Sequence, residues 1–327
     1  MALVVSGCSK NTTEGFHVGI FVPGFIEGSP TYEMMASGAK QAAEINPELT
    51  IRIVEGGMNQ AEWEGSLMSM AGSQEFDVIV TSNPAMPEVA RRVLEEFPHQ
   101  HFIMLDANGG NNPSIYAISF DHQEQAFLNG FAAGMISASN MENTRPGVRV
   151  GLIAGQEYPV MNDRIKRGFI LGARTANPMA QLDFRVVGNW NDPGKAAELA
   201  TSMIDAQTDI ILTICGGGNQ GVITAARENG AYVSWFDSPA YEYAPGIIVS
   251  STYVRQDLAA RESILAAAQG TLQYGQTVVL GISDGYIGFA SNHSGFTEYV
   301  PEGIQSAIVE LENRIQSGEQ DIPGTIE

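Results

Sequence analysis

The sequence predicts an α/β protein made of two similar lobes, each a parallel sheet covered by helices on both faces. The chain has 327 residues, which is long for a single compact core and sufficient for two lobes of ordinary domain size. From Phe16 onward, apolar runs of strand length alternate with segments of helical spacing. The alternation runs through two consecutive sets, and such alternation is typical of doubly wound parallel sheets.

The first set of elements extends to about residue 120. Short apolar runs predict strands at 17–22, 50–54, 77–81, 101–106 and 115–120. Helical spacing predicts helices at 29–45, 62–71 and 84–97.

The second set begins after residue 120. It contains predicted helices at 125–137, 160–175, 194–206 and 222–229, and predicted strands at 149–154, 184–187, 209–213 and 232–236. Gly230 ends the last of these helices, because glycine readily adopts the left-handed conformation found after many helix C-termini.

The last part of the chain is expected to cross between the lobes more than once. Near 247–250 it returns to the first lobe, which gains the helix 256–269, and it crosses again near 278–280 before a final helix at 301–316. The predicted N-terminal lobe is therefore 16–120 plus about 251–277, and the C-terminal lobe is 121–250 plus about 278–327. No low-complexity linker separates the lobes, so the several crossings predict a hinge.

Composition and charge exclude some function classes. Apolar residues make up 44% and charged residues 17%, which is the composition of a folded globular protein. A formal net charge of −20 repels phosphate backbones, so no nucleic acid is expected as a partner. The two cysteines, Cys8 and Cys215, exclude a disulfide framework, and Cys215 lies in an apolar run where a buried thiol is expected.

Cys8 is predicted to carry a lipid. The segment Val5-Ser6-Gly7-Cys8 resembles a bacterial lipobox, and the polar residues 9–15 that follow suit a tether. Residues 1–15 are thus predicted to be a lipobox remnant and tether. No later apolar run approaches the roughly 18 residues needed to span a bilayer, so the lipid anchor is the expected membrane attachment.

The sequence shows few arrangements for chemistry. The run Gly216-Gly217-Gly218 follows a strand but lacks the spacing of a dinucleotide fingerprint, and is interpreted as a tight turn that lets backbone approach closely. The five histidines show no metal spacing, and there is no nucleophile elbow. We therefore predict no metal, no cofactor and no enzyme activity.

The residues after the predicted strands suit ligand recognition. Ligands bind at the carboxyl ends of strands in open parallel sheets. Those ends carry aromatics, amides and isolated carboxylates, which offer stacking faces and fixed hydrogen-bond partners. The candidates from both sets are Tyr32, Asn83, Asp106, Tyr158, Trp190 and Asp237.

Several stretches together resemble the basic membrane protein family of substrate-binding lipoproteins, which includes a purine nucleoside receptor. They are 97–106, 120–130, 168–172, Asn189-Trp-Asn-Asp-Pro193, 216–223 and 257–260. The resemblance covers about 16–316. It implies a type I periplasmic-binding-protein fold, an ABC permease and ATPase as partners, a ligand held between the lobes, and a location on the extracytoplasmic or periplasmic face of a bacterial membrane.

The resemblance also implies a role for particular residues. Nucleoside-binding members hold the purine between two aromatic rings, and the second-lobe position falls on Trp190. The first-lobe phenylalanine and asparagine fall on Thr31 and Tyr32. The carboxylates Asp106 and Asp237 are retained.

The departure at Thr31 and Tyr32, together with an indole at Trp190, favours a wider and more apolar ring than a purine. The broader family that the sequence resembles includes riboflavin-binding relatives, and the resemblance with these departures implies such a relative. We predict riboflavin as the transported ligand, with a purine nucleoside as the alternative. A ligand sensor is a further alternative. A nucleoside-processing enzyme would need a general acid–base pair, for which Asp106 and Asp237 are the candidates.

Overall fold

The structure is a computed structural model that describes residues 15–322. Cys8 lies outside these residues, so its lipidation stays a prediction. The chain divides into two compact units, the first from the described part of Met1–Ser119 with Gln256–Val278, and the second from Phe120–Arg255 with the described part of Val279–Glu327. The chain therefore passes between the units after Ser119, Arg255 and Val278.

The first unit has a six-stranded sheet. Its strands are β1 (Phe16–Val22), β2 (Leu49–Glu55), β3 (Val78–Ser82), β4 (His101–Leu105), β5 (Ile115–Phe120) and β11 (Gln276–Leu280), the last of which runs past Val278. Its helices are α1 (Pro30–Ile45), α2 (Gln60–Gly72), α3 (Met86–Glu96) and α8 (Gln256–Ala268). The strand order is β11-β5-β4-β3-β1-β2, and the pairings from β5 through β2 are parallel.

The core of the first unit lies between the sheet and α2 and α3. Phe21, Ile79 and Phe102 from the strands are buried with Trp63 and Leu67 from α2. Burial of each such side chain contributes about 1.5–3 kcal/mol. The helices α1 and α8 pack together, closely enough that a Cβ at Gly38 would clash with the backbone of α8. The sheet is thus covered by two pairs of helices.

The second unit repeats this plan with a second six-stranded sheet. Its strands are β6 (Arg149–Ala154), β7 (Gln181–Val186), β8 (Ile210–Ile214), β9 (Tyr232–Trp235), β10 (Ile248–Val254) and β12 (Ile287–Phe289). Its helices are α4 (His122–Ser137), α5 (Lys166–Ala176), α6 (Pro193–Asp205), α7 (Asn219–Asn229), α9 (Ser294–Thr297) and α10 (Glu302–Gln316). The strand order is β12-β10-β9-β8-β6-β7, with β12 antiparallel to β10 and the other pairings parallel.

Local chemistry explains where several of these helices begin and end. Asp121 accepts hydrogen bonds from the N–H groups of Gln123 and Glu124 and thereby caps α4. Asp192 caps α6 in the same way, with Pro193 in the first turn. Gly230 follows α7 with φ 65°, as predicted, because this left-handed conformation strains any residue with a Cβ.

The prediction of two units with parallel sheets and covering helices is confirmed, and the structure differs from it in detail. Residues 251–254 were expected in the first lobe but lie in β10, where hydrogen bonds to β9 and β12 hold them in the second sheet. The helix predicted at 160–175 opens with a π-helical turn, Met161–Ile165, before α5. The short elements β12 and α9 were not predicted. No helix within residues 15–322 is both long and apolar enough to cross a membrane.

Candidate ligand-binding site

The carboxyl ends of β4, β3 and β1 are neighbours in the first sheet. Asp106 follows β4 with φ 50°, and Asn83 follows β3 with φ 133°. Positive φ is uncommon for residues other than glycine, and such backbone strain clusters at functional sites. The N–H of Asn83 donates to the carbonyl of Leu105 over 3.2 Å, so the two strained ends are joined. The strain marks this edge of the sheet as a candidate site.

Tyr32 lies in the first turns of α1 and reaches the same edge. Its hydroxyl donates to the carbonyl of Pro23 over 3.2 Å and accepts from Nδ2 of Asn83 over 3.4 Å. Burial raises the pKa of Tyr32, an effect that the Asn83 hydrogen bond opposes and the charge of Asp106 reinforces. The structure therefore brings together three of the predicted residues, with the phenol protonated at neutral pH.

Thr31 belongs to the same group through its backbone. Its carbonyl accepts a hydrogen bond of 2.8 Å from Nε2 of Gln256, which also donates to Oγ of Ser82 over 3.2 Å. Gln256 is fully buried and was not predicted as part of the site. Gln256 links the start of α1 to the end of β3 and so helps to hold this edge of the first sheet in place.

Trp190 is the main feature of the second unit's edge. It follows β7, and its indole lies over Gly155 at the end of β6, where a Cβ would stand 2.5 Å from Cε3 of the ring. Its carbonyl lies against Gly216 at the end of β8, where a Cβ would stand 2.8 Å away. Both positions therefore require glycine. The backbone that approaches the run Gly216–Gly218 is that of Trp190 and Asn191, which gives the predicted tight turn its structural reason.

Tyr158 is placed beside Trp190, as the prediction of a shared site requires. The two ring centroids are 6.1 Å apart and the planes are inclined by 50°. Trp190 is half-buried, while Asn189 and Asn191 on either side are exposed amides. Aromatic faces beside amide groups suit a flat ligand with polar substituents.

Asp237 lies at the end of β9, on the other side of β8 and β6 from β7. The backbone just before it is held by buried side chains. The carbonyl of Phe236 accepts hydrogen bonds of 2.8 Å from Nε2 of Gln125 and from Oγ1 of Thr252. Gln125 is fully buried on α4. Asp237 is thus half-buried on a fixed backbone.

Asn129, one turn further along α4, extends this network. Its Oδ1 accepts from the hydroxyls of Ser234 and Ser250, and its Nδ2 donates to Thr252 and to the carbonyl of Trp235. Gln125 and Asn129 were not predicted as site residues. The signal that could have found them is a pair of amides spaced by four residues, with Asn129 inside the apolar run 126–136 of α4 and Gln125 just before it.

Cys215 is buried, as predicted, and makes no disulfide. Burial raises the pKa of its thiol to about 11. Oδ1 of Asn219 accepts from Oγ1 of Thr213 over 2.7 Å and from the N–H of Cys215 over 2.9 Å. The thiol therefore stays protonated and helps pack the start of α7.

Comparisons with known proteins show the family of this chain. A family model described as ABC transporter substrate-binding protein PnrA-like matches residues 16–324. The "CD4+ T-cell-stimulating antigen" of Listeria monocytogenes is 20% identical over 81% of this chain and 75% of its own. The "ABC transporter nucleoside-binding protein BmpA" of Lactococcus lactis is 24% identical over 48% of this chain and 42% of its own.

A solved structure shows the same fold. The crystal structure of an ABC transporter solute-binding protein from Aeropyrum pernix K1 superimposes with a TM-score of 0.77 at 22% identity and covers 94% of both chains. The expected periplasmic-binding-protein fold is therefore confirmed.

Proposed function

Because this chain belongs to the Bmp family of PnrA-like ABC transporter substrate-binding proteins, we propose that it binds riboflavin for import. Members of this family are solute-binding proteins, which act outside the cytoplasmic membrane and deliver their ligand to a permease driven by an ATPase. The proposal concerns the identity of the ligand.

The packing of Trp190 at the strand ends is the observation that supports riboflavin as the ligand. Two glycines, Gly155 and Gly216, hold the indole over the strand ends, and Tyr158 adds a second ring. An indole stacked on a flat base or ring contributes on the order of 1–3 kcal/mol. The tricyclic flavin ring offers a wider face than a purine, so it gains more from this surface.

The polar groups suit the rest of such a ligand. Asp106 and Asn83 in the first unit and Asp237 in the second supply acceptors, and Asn83 also has a donor amide. The ribityl chain of riboflavin and the ribose of a nucleoside both carry hydroxyls that such groups bind. A purine nucleoside is the alternative ligand, supported by the similarity to the Lactococcus lactis nucleoside-binding protein.

Calorimetry with riboflavin, adenosine, guanosine and inosine in parallel tests the proposal. We expect sub-micromolar binding of riboflavin, quenching of its fluorescence, and poor competition by the nucleosides. Trp190→Ala should weaken riboflavin binding by roughly ten- to a hundredfold, which corresponds to about 1.4–2.8 kcal/mol.

Met179→Ala is the matched control. Met179 is 75% exposed in the second unit and lies before the amino end of β7, at the opposite edge of the sheet from Trp190. This variant should bind as the parent does. Tight nucleoside binding without flavin binding would replace riboflavin by the alternative. Release of free base from a nucleoside during the same incubation would favour the enzyme hypothesis instead.

A further inference from the structure

The side chain of Asn219 links the first residue of α7 to the end of β8. Its Oδ1 accepts hydrogen bonds from Oγ1 of Thr213 over 2.7 Å, from the N–H of Cys215 over 2.9 Å and from Sγ of Cys215 over 3.2 Å. Thr213 and Cys215 are buried, whereas Asn219 is half-buried. One amide oxygen therefore closes the turn Gly216–Gly218, which lies between β8 and α7 in the chain.

The segment that carries Trp190 lies against this turn. A Cβ at Gly216 would stand 2.8 Å from the carbonyl oxygen of Trp190, and a Cβ at Gly217 would stand 3.0 Å from Oδ1 of Asn191. The two segments approach this closely because both positions lack a side chain. The position of the turn therefore limits where the backbone of Trp190 can lie.

The start of α7 also packs against the helix that follows Trp190. A Cβ at Gly221 would clash with the carbonyl oxygen of Pro193, the first residue of α6. Asp192, just before it, caps α6 with its side chain. The segment from Trp190 to Pro193 thus contacts the glycine turn at one end and the first turn of α7 at the other.

We propose that Asn219 is a positioning residue for Trp190, and that ligand affinity depends on its amide oxygen through the turn Gly216–Gly218. This inference rests on the proposed function, since it concerns how the indole is held for a flat ligand. An indole held in one orientation loses little conformational entropy when a ligand stacks on it. Without the hydrogen bonds to Oδ1 the turn is less ordered, so part of the binding free energy is needed to order it.

The chemistry of these hydrogen bonds provides a conservative variant. Asn219 is the acceptor in each of them, so Asn219→Asp keeps them, and a carboxylate is favourable in the first turn of a helix. Asn219→Ala removes them. In titrations of riboflavin fluorescence, Asn219→Ala should weaken binding about tenfold, and Asn219→Asp should stay within about threefold of the parent.

Two further variants support this comparison. Asn229→Ala is the control, since Asn229 is exposed at the other end of the same helix, and it should leave affinity unchanged. Thr213→Val removes one donor to Asn219 and keeps the shape of the side chain, so it should weaken binding about threefold. It replaces Asn219→Ala if thermal melting shows that this variant does not fold.

A double-mutant cycle tests whether Asn219 acts through Trp190. In the Trp190→Ala background, Asn219→Ala should change riboflavin affinity by less than about twofold, because the side chain that it positions is gone. A further loss of about tenfold in that background would overturn the inference in favour of direct contact between Asn219 and the ligand.

Tryptophan fluorescence without ligand tests the inference even if riboflavin does not bind. The emission of Trp190 is the difference between each protein and its Trp190→Phe counterpart. Acrylamide should quench this emission more strongly in Asn219→Ala than in the parent, and equally in Asn219→Asp and the parent. Equal quenching in all three proteins would overturn the inference. Absence of riboflavin binding by the parent, with quenching as expected, would overturn the proposed ligand and support the positioning role.

Discussion

Tyr32 in the first unit and Trp190 in the second are both aromatic side chains at the carboxyl edge of a parallel sheet, but they are held differently. Tyr32 is fixed by hydrogen bonds of its hydroxyl to Pro23 and Asn83. Trp190 is fixed by shape, since its indole fills the space that Gly155 leaves open. Hydrogen bonds therefore hold Tyr32 in place, whereas the position of Trp190 depends on the absence of a side chain at Gly155.

The two units also differ in how completely a buried amide side chain next to each sheet is hydrogen-bonded. Asn129 in the second unit uses both its oxygen and its nitrogen in a fully buried network. Gln256 in the first unit uses its nitrogen, while its buried Oε1 has no hydrogen-bond partner. An unpaired buried polar atom costs about 1–3 kcal/mol. The carboxyl edge of the first sheet therefore combines an unpaired acceptor with the strained residues Asn83 and Asp106. The amide behind the second sheet has all of its polar atoms hydrogen-bonded.

Replacement of these two amides by apolar side chains of similar shape should give the largest effect. Asn129→Leu leaves the carbonyl of Trp235 and several hydroxyls with lost partners, so we expect a loss of about 3 kcal/mol or more in the free energy of unfolding. Gln256→Met should lose only about 1–2 kcal/mol, because it also removes the unpaired oxygen. Denaturant unfolding of both variants measures the difference. Equal losses would show that the two units do not differ in this respect.

One added methyl group should disrupt the packing that holds Trp190 in place. Gly155→Ala places a Cβ against the indole and should displace it, which weakens ligand binding by about tenfold, or about 1.4 kcal/mol. Gly303→Ala on α10 is the control, because a Cβ at that position meets nothing within 4 Å. Ligand titration and tryptophan fluorescence report the two outcomes. An unchanged affinity with a shifted emission spectrum would mean that the ligand does not contact Trp190.

We expect a smaller, pH-dependent effect on stability from a half-buried carboxyl group of the second unit. Glu124 on α4 accepts a hydrogen bond of 2.7 Å from the N–H of Ile282. Burial raises the pKa of Glu124, and the charges of Asp121 and Asp284 raise it further, although the Ile282 hydrogen bond lowers it. The folded protein therefore holds this proton more tightly than the unfolded chain does. The contribution to stability is largest below the unfolded pKa and is lost as the pH rises through the folded pKa.

Glu124→Gln keeps an acceptor for Ile282 and removes the charge. Relative to the parent, the variant should gain unfolding free energy as the pH is raised from about 4 to neutrality, and the difference should then stay constant. Thermal melts across this range measure it. A difference that falls with rising pH would mean that the carboxylate is stabilised in the folded state.

The order of strands and helices was predictable because it depends on local periodicity. Apolar runs and helical spacing predicted the elements from β1 to β9 and the helix α8 within a few residues, and Gly230 predicted the end of α7. The strand β12 was missed because it has only three residues, Ile287–Phe289, and no pattern of its own. Since β12 pairs with β10, the extent of β10 in the second sheet was missed with it.

The candidate site was predictable in outline for a topological reason. Parallel strands bring their carboxyl ends to one edge, so residues that follow different strands can be grouped from the sequence. This reasoning gave Tyr32, Asn83, Asp106, Tyr158, Trp190 and Asp237 as strand-end candidates, and the structure brings Tyr32 close to Asn83 and Tyr158 close to Trp190.

The roles within each group were decided by tertiary packing. Whether an aromatic side chain faces solvent or supports a loop depends on which glycines and polar atoms lie next to it. Those neighbours, such as Gly155 for Trp190 and Pro23 for Tyr32, come from other strands or loops. For the same reason the sequence alone determined which residues reach the edge, whereas the tertiary structure decided that Phe25 is exposed and that the hydroxyl of Tyr32 is occupied.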